Sequence, residues 1–197
     1  MYNKFIRPAF LTFIALTIVC GVCYPLLVTL VSQIVFPEKA NGSLIKKDGK
    51  FVGSELIGQP FADPKYFWSR PSATTPAPYN AAASLASNLG PSNPALFERV
   101  KSGMATLRQS DPSNISAVPA DLVTTSASGL DPHISVAAAL WQAPRVARLR
   151  GKNIDEIRTL IARFTEERQL GLFGDPRVNV LKLNIALDES SPMQEGK

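Results

Sequence analysis

The sequence predicts an α+β protein: one N-terminal transmembrane helix followed by a single domain with a small sheet and several helices. Three observations carry this. Ala9 to Phe36 holds 28 residues without Asp, Glu, Lys, Arg or His. An Asp-Gly pair, Asp48-Gly49, separates two short segments with strand character, and a β-branched, Leu-rich segment recurs near the end. Between them lie apolar positions at helical spacing, each set preceded by a capping residue.

The first run sets the organisation. A bilayer core of roughly 30 Å takes about 20 apolar residues at 1.5 Å rise, so this stretch is long enough to cross with some tilt. Pro25 lies inside it and predicts a local disturbance of the helix. A cleaved signal peptide is the rival reading, with Lys4 and Arg7 as its basic start, but the apolar run exceeds the usual length of about 7–15 residues and lacks a small-x-small site. The expected division is 1–8 as N-terminus, 9–36 as membrane helix, 37–188 as the α+β domain and 189–197 as a polar tail. Lys4 and Arg7 precede the span, whereas Lys39, Lys46, Lys47 and Lys50 follow it. A count of basic residues therefore leaves the orientation open.

The 21 basic and 16 acidic residues give a formal charge of +5. That balance, with no basic run interleaved with aromatics, does not point to nucleic acid. Both cysteines, Cys20 and Cys23, fall within the apolar run, where they read as small packing residues rather than as a redox or metal pair. Sixteen prolines predict many turns and long ordered loops.

Along the domain, 37–42 reads as a linker and 43–56 as a β-hairpin turning at Asp48-Gly49. Gly53 to Gly58 spells G-x-x-x-x-G, but Gln59-Pro60 stands where a phosphate-binding loop needs Lys and Ser/Thr. Residues 61–78, rich in proline and aromatics, predict a loop pinned by ring packing. Ser92-Asn93-Pro94 opens a helix with Leu96, Phe97, Val100, Met104 and Leu107 on one stripe. Residues 119–123 predict a short helix, 136–149 a helix kinked or broken at Pro144, and Asn153 caps a firmly periodic helix through Phe164. Arg177 to Asn184 reads as a strand.

The search for catalytic chemistry is negative. His133 is the single histidine, and no G-x-S-x-G, H-E-x-x-H or phosphate-loop motif occurs. Neither a metal set nor a catalytic set of residues is expected. The acidic pairs Asp155-Glu156 and Glu166-Glu167 are placed on the first and last turns of a helix, where the first suits the dipole. Residues 124–129, rich in hydroxyls, precede a helical segment, so Ser126, Ser128 and Gly129 offer either an anion site or a loop satisfying its own backbone. Arg145, Arg148, Arg150, Lys152, Arg158 and Arg163 read as a solvated basic face, with an acidic partner as the alternative. In the span, Thr17, Cys20, Gly21 and Tyr24 recur on one side and are expected to meet another helix.

Several stretches resemble the C subunit of the bacterial Kdp potassium-transporting P-type ATPase. They are Tyr79 to Leu96, Gly53 to Gln59, Phe67 to Ser72, Pro119 to Pro132, Gln142 to Ala147 and Pro176 to Leu181. The resemblance implies a complex with a channel-like potassium-binding subunit, an ATP-hydrolysing pump subunit and a small single-span subunit. It implies a bacterial inner membrane protein with a cytoplasmic N-terminus and a periplasmic main domain. It further implies a role in assembly and as a catalytic chaperone raising the pump's affinity for ATP. Ser126, Ser128, Gly129 and Gln142 match positions the family links to nucleotide. The chain would need no cofactor of its own, ATP entering by way of the pump subunit. Coupling through the span and partners fits such a topology better than direct contact with cytoplasmic ATP. The alternatives are an anchored periplasmic enzyme using Ser126 or Ser128, or a solute-binding or scaffold domain.

Overall fold

The computed structural model describes residues 3–190; of the tail expected at 189–197, residues 191–197 lie outside them. The chain separates into two units that meet at Val52 and Gly53.

The first unit begins with a helical rod made of α1 (Asn3–Ile18), a π-turn (Val19–Cys23) and α2 (Tyr24–Val35). Its apolar part, Lys4–Val35, spans 32 residues and contains an 18-residue window of mean hydropathy 2.4, long and apolar enough to cross a membrane. The expected disturbance at Pro25 takes the form of that π-turn. Proline donates no N–H, and the amide of Tyr24 just before it reaches back to Val19 O, one residue further than in an α-helix. A short helix, α3 (Pro37–Ala40), leads into β1 (Leu44–Lys47) and β2 (Lys50–Ser54). Asp48 and Gly49 both take positive φ, 51° and 76°, as the expected hairpin turn requires.

The second unit carries a long loop, 55–93, in which aromatic packing replaces regular structure. Phe67 is fully buried and Phe61 stacks obliquely on Tyr66 at 5.6 Å. Asn93 then caps α4 (Pro94–Ser110) by accepting from the Ala95 amide. Only the inner end of its stripe is used fully: Leu107 is buried, Val100 and Met104 pack on the core, and Phe97 is exposed. A 3-10 turn (Ala120–Leu122) precedes β3 (His133–Ser135), α5 (Val136–Arg150) and α6 (Ile154–Arg163). Strands β4 (Thr165–Glu166) and β5 (Arg177–Asn179) and helix α7 (Val180–Glu189) complete it. The sheet is antiparallel in the order β3-β5-β4, with Ile134 opposite Val178 and Thr165 opposite the same valine. Its buried face, the inner sides of α5, α6 and α7, and Phe67 make one core.

Several expectations need correction. The strand expected over Arg177 to Asn184 ends at Asn179, whose side chain accepts from the Lys182 amide and starts α7. Val180, Leu181, Leu183 and Leu187 then bury one helical face. Helix α5 continues through Pro144, so the break expected there as one of two outcomes does not occur. Glu166 belongs to β4 rather than to a helical last turn, since α6 ends at Arg163. The basic stretch is not a uniformly solvated face. Arg145 is fully buried and the Arg150 side chain only 2% exposed, because loop carbonyls, Asp188 and aromatic rings surround them.

Candidate functional site

The hydroxyl-rich loop is spent on its own backbone. Ser126 Oγ accepts from Gly129 N at 3.0 Å and Ser128 Oγ accepts from Leu130 N at 3.1 Å. The carbonyl of Ser128 accepts from Leu85 N and Ser84 Oγ, both at 3.0 Å, and that of Gly129 from Ser72 Oγ at 2.7 Å. Gly129 itself has φ +69°, and a Cβ there would stand 2.6 Å from Leu85 O. Two of the amides that could cradle an anion, those of Gly129 and Leu130, already have acceptors.

Nor does this loop lie at a helix N-terminus. Strand β3 intervenes, and α5 is capped by Ser135, whose Oγ accepts from Ala138 N at 3.0 Å. The Asp121 carboxylate accepts from both Ser135 N and Ser135 Oγ, at 2.7 and 3.2 Å. A protein carboxylate thus takes the place at which a bound anion would be favoured.

Gln142 sits in a second place, fully buried on α5. Its Oε1 accepts from Trp68 N at 2.8 Å and from Arg145 Nη2 at 2.7 Å, and its Nε2 donates to Trp68 O at 3.1 Å. The side chain satisfies displaced backbone, but that of the loop at Trp68 rather than that of residue 140 beside Pro144. Arg145 also donates to the carbonyls of Pro64 and Tyr66 and lies 4.6 Å from the Trp68 ring. Burial lowers its pKa to about 10 against the attraction of Asp111 and Asp63, which leaves it charged at neutral pH. The hydrogen bonds tie the Ser-Gly loop to Ser72 and Leu85 and tie Gln142 to Trp68 and Arg145. The two sets of positions linked by resemblance therefore hold different parts of the same long loop.

Sequence reasoning missed a third cluster. Arg70 Nη1 lies 3.2 Å from Asp131 Oδ2, and His133 Nδ1 lies 3.1 Å from Asp131 Oδ1. On its other side His133 Nε2 is 3.6 Å from Glu166, which also accepts from Arg177 Nε at 3.1 Å. Burial would raise the Asp131 carboxyl, but hydrogen bonds from His133 and the Arg70 charge hold it below its usual value. Arg70, Asp131, His133 and Arg177 edge an open depression of about 300 Å³. His133 therefore pairs with carboxylates and not with a serine, so the described residues contain no Ser–His pair for nucleophilic catalysis. Among the described residues no three His, Cys, Asp or Glu side chains gather closely enough to hold a metal.

In the span, Thr17 Oγ1 donates to Phe13 O at 2.8 Å, and Thr17, Cys20, Gly21 and Tyr24 are all exposed. The π-turn adds one residue between Thr17 and Tyr24, rotating Tyr24 by about 100° from plain α-helical spacing. Thr17, Cys20 and Gly21 come before that offset is complete.

One helix long and apolar enough to cross a membrane, followed by a small α+β domain, defines the class of this protein. Residues 6–189 match the family model described as KdpC, the K+-transporting ATPase c chain, and this chain belongs to that family. A relative called "Potassium-transporting ATPase KdpC subunit" in Methylococcus capsulatus is 60% identical over 188 residues, covering 95% of this chain and 98% of its own. Relatives of the same name in Polaromonas naphthalenivorans and Dechloromonas aromatica are 60% and 58% identical. They cover 97% and 94% of this chain and 97% of their own lengths.

Proposed function

We propose that this chain is an accessory subunit of a high-affinity ATP-driven potassium uptake complex in the bacterial inner membrane. It supports assembly and raises the ATP affinity of the pump subunit without hydrolysing ATP or conducting potassium itself. The family match across residues 6–189 carries the reading. One span, Lys4–Val35, cannot enclose an ion pathway alone, and the sequence contains no D-K-T-G-T phosphorylation motif.

In this reading the chain passes once through the membrane, with its N-terminus in the cytoplasm and its main domain in the periplasm. It contacts the channel-like, pump and small single-span subunits. Its effect on ATP is allosteric: the chain binds the ATP-competent arrangement of its partners better than the alternative, so nucleotide and subunit favour each other by the same factor. Ser126, Ser128, Gly129 and Gln142 serve this by holding the long loop that shapes the partner-facing domain. Purifying the remaining subunits with and without this chain tests the proposal. Poorer co-elution in detergent and a raised KM for ATP are expected in its absence; unchanged assembly and KM would contradict it.

A further inference from the structure

The segment that leaves the span is rigidly attached to it. Asn41 Nδ2 donates to Gln33 Oε1 at 3.1 Å on the last turns of α2, Gln33 Nε2 returns a bond to Asn41 Oδ1 at 3.4 Å, and Asn41 Nδ2 also reaches Pro37 O at 2.7 Å. The amides of Ala40, Asn41 and Ser43 are bonded to the carbonyls of Phe36, Pro37 and Glu38. Strand β1 starts directly after this cap, so the hairpin is held at the end of the membrane helix.

The hairpin and cap expose an unusual combination. Phe36, Leu44 and Phe51 are 56%, 52% and 62% exposed. Lys46 Nζ lies 4.8 Å from the Phe51 ring centroid and Lys39 Nζ 5.9 Å from that of Phe36. Leu44 shares a strand face with Lys46 by the period of two. Four lysines, Lys39, Lys46, Lys47 and Lys50, stand against Glu38 and Asp48, and none has a carboxylate within 4 Å among the described residues. A two-stranded hairpin is marginal alone in water, and this one leaves Leu44 and Phe51 exposed while Ile45 and Val52 are half-buried.

We infer that α3 and the β1–β2 hairpin form a binding surface for anionic phospholipid headgroups at the C-terminal end of the span. Position decides the occupant. The apolar helix ends at Val35, which brings α3 and the hairpin to the headgroup layer, the roughly 5–10 Å that flank the hydrocarbon core. There Phe36, Leu44 and Phe51 reach towards acyl chains while the lysine ammoniums meet phosphates. The inference holds whichever side of the membrane this end occupies, and it is independent of the proposed function.

Hydrogen exchange of the full-length chain in nanodiscs tests it. Amides of 44–54 should exchange about tenfold more slowly in discs containing phosphatidylglycerol than in pure phosphatidylcholine, several lysines each adding to the attraction. Half-molar salt should abolish the difference. The triple variant Lys46→Gln, Lys47→Gln, Lys50→Gln should lose it, whereas the matching Lys→Arg variant should keep it, which separates charge from misfolding. Equal exchange in the two lipids would overturn the inference. So would protection that ignores lipid and arises only when the other subunits of the complex are added, since the surface would then be a protein interface.

Discussion

The side-chain amide of Gln142 pairs with the backbone of Trp68 as one strand pairs with another, accepting from its N–H at 2.8 Å and donating to its carbonyl at 3.1 Å. Asn184 on α7 does the same one residue earlier, accepting from Phe67 N and donating to Phe67 O, both at 2.9 Å. Two amides from two helices thus satisfy consecutive residues of a loop with no strand partner, and Phe67 enters the core between them. Asn184→Ala strands a buried N–H and a buried carbonyl at once. It should destabilise the domain by about 2–4 kcal/mol, read from thermal unfolding of the full chain in detergent.

Gly129 is held by both conformation and space. Its φ of +69° strains any L side chain, and an added Cβ would meet Leu85 O at 2.6 Å and Thr74 Cγ2 at 2.8 Å. Gly129→Ala should cost about 2 kcal/mol or more, lowering the melting temperature without requiring any ligand. A variant of unchanged stability would show that the loop yields and that its strictness is not structural.

Tyr79 predicts an alkaline limit. Burial first of all raises its phenol to about 12, with Asp131 adding and Arg70 and Ser69 opposing, and its hydroxyl donates to Arg70 O. In the unfolded chain the group titrates near 10. Above that pH the unfolded state loses its proton first, so stability present below pH 10 is lost as pH rises towards 12. The loss attributable to this group is about 2–3 kcal/mol. Tyr79→Phe should start less stable at neutral pH and lack this part of the alkaline decline, measured as the difference between the two unfolding curves.

Gly21 tests the membrane contact. A Cβ there would find only Thr17 Cγ2, at 3.9 Å, so the chain itself has room for a larger residue. A loss of recovery in Gly21→Leu therefore points to a neighbouring helix. Loss of close approach is expected to weaken association by roughly 1–2 kcal/mol, seen as reduced recovery of the purified complex. Full recovery would remove this face from the contact.

Local chemistry made much of the fold legible. Asp48-Gly49 marked the hairpin, Asn93-Pro94 and Asn153 marked helix starts, and Ile154, Ile157 and Ile161 kept strict helical spacing. The end of β5 was hidden because Asn179 closes a strand and caps a helix within a β-branched run. The burial of Arg145 was hidden for another reason. Its acceptors, the carbonyls of Pro64 and Tyr66, lie about eighty residues earlier in a loop whose path no local pattern reveals. A separation of 61 residues likewise concealed the pairing of Arg70 with Asp131. The Ser126 and Ser128 hydroxyls accept from the Gly129 and Leu130 amides, local contacts of the kind a sequence can suggest, whereas the bonds to Ser72 and Ser84 are long-range.

The most direct test of the account is Gln142→Ala in the purified complex, with stability, subunit recovery and the KM for ATP measured on the same sample. Gln142 is buried, bonded to Trp68 and Arg145, and offers no free polar atom to a nucleotide. The account predicts a less stable domain and poorer recovery, with pump activity falling in proportion. Normal stability and recovery with a raised KM for ATP alone would contradict it.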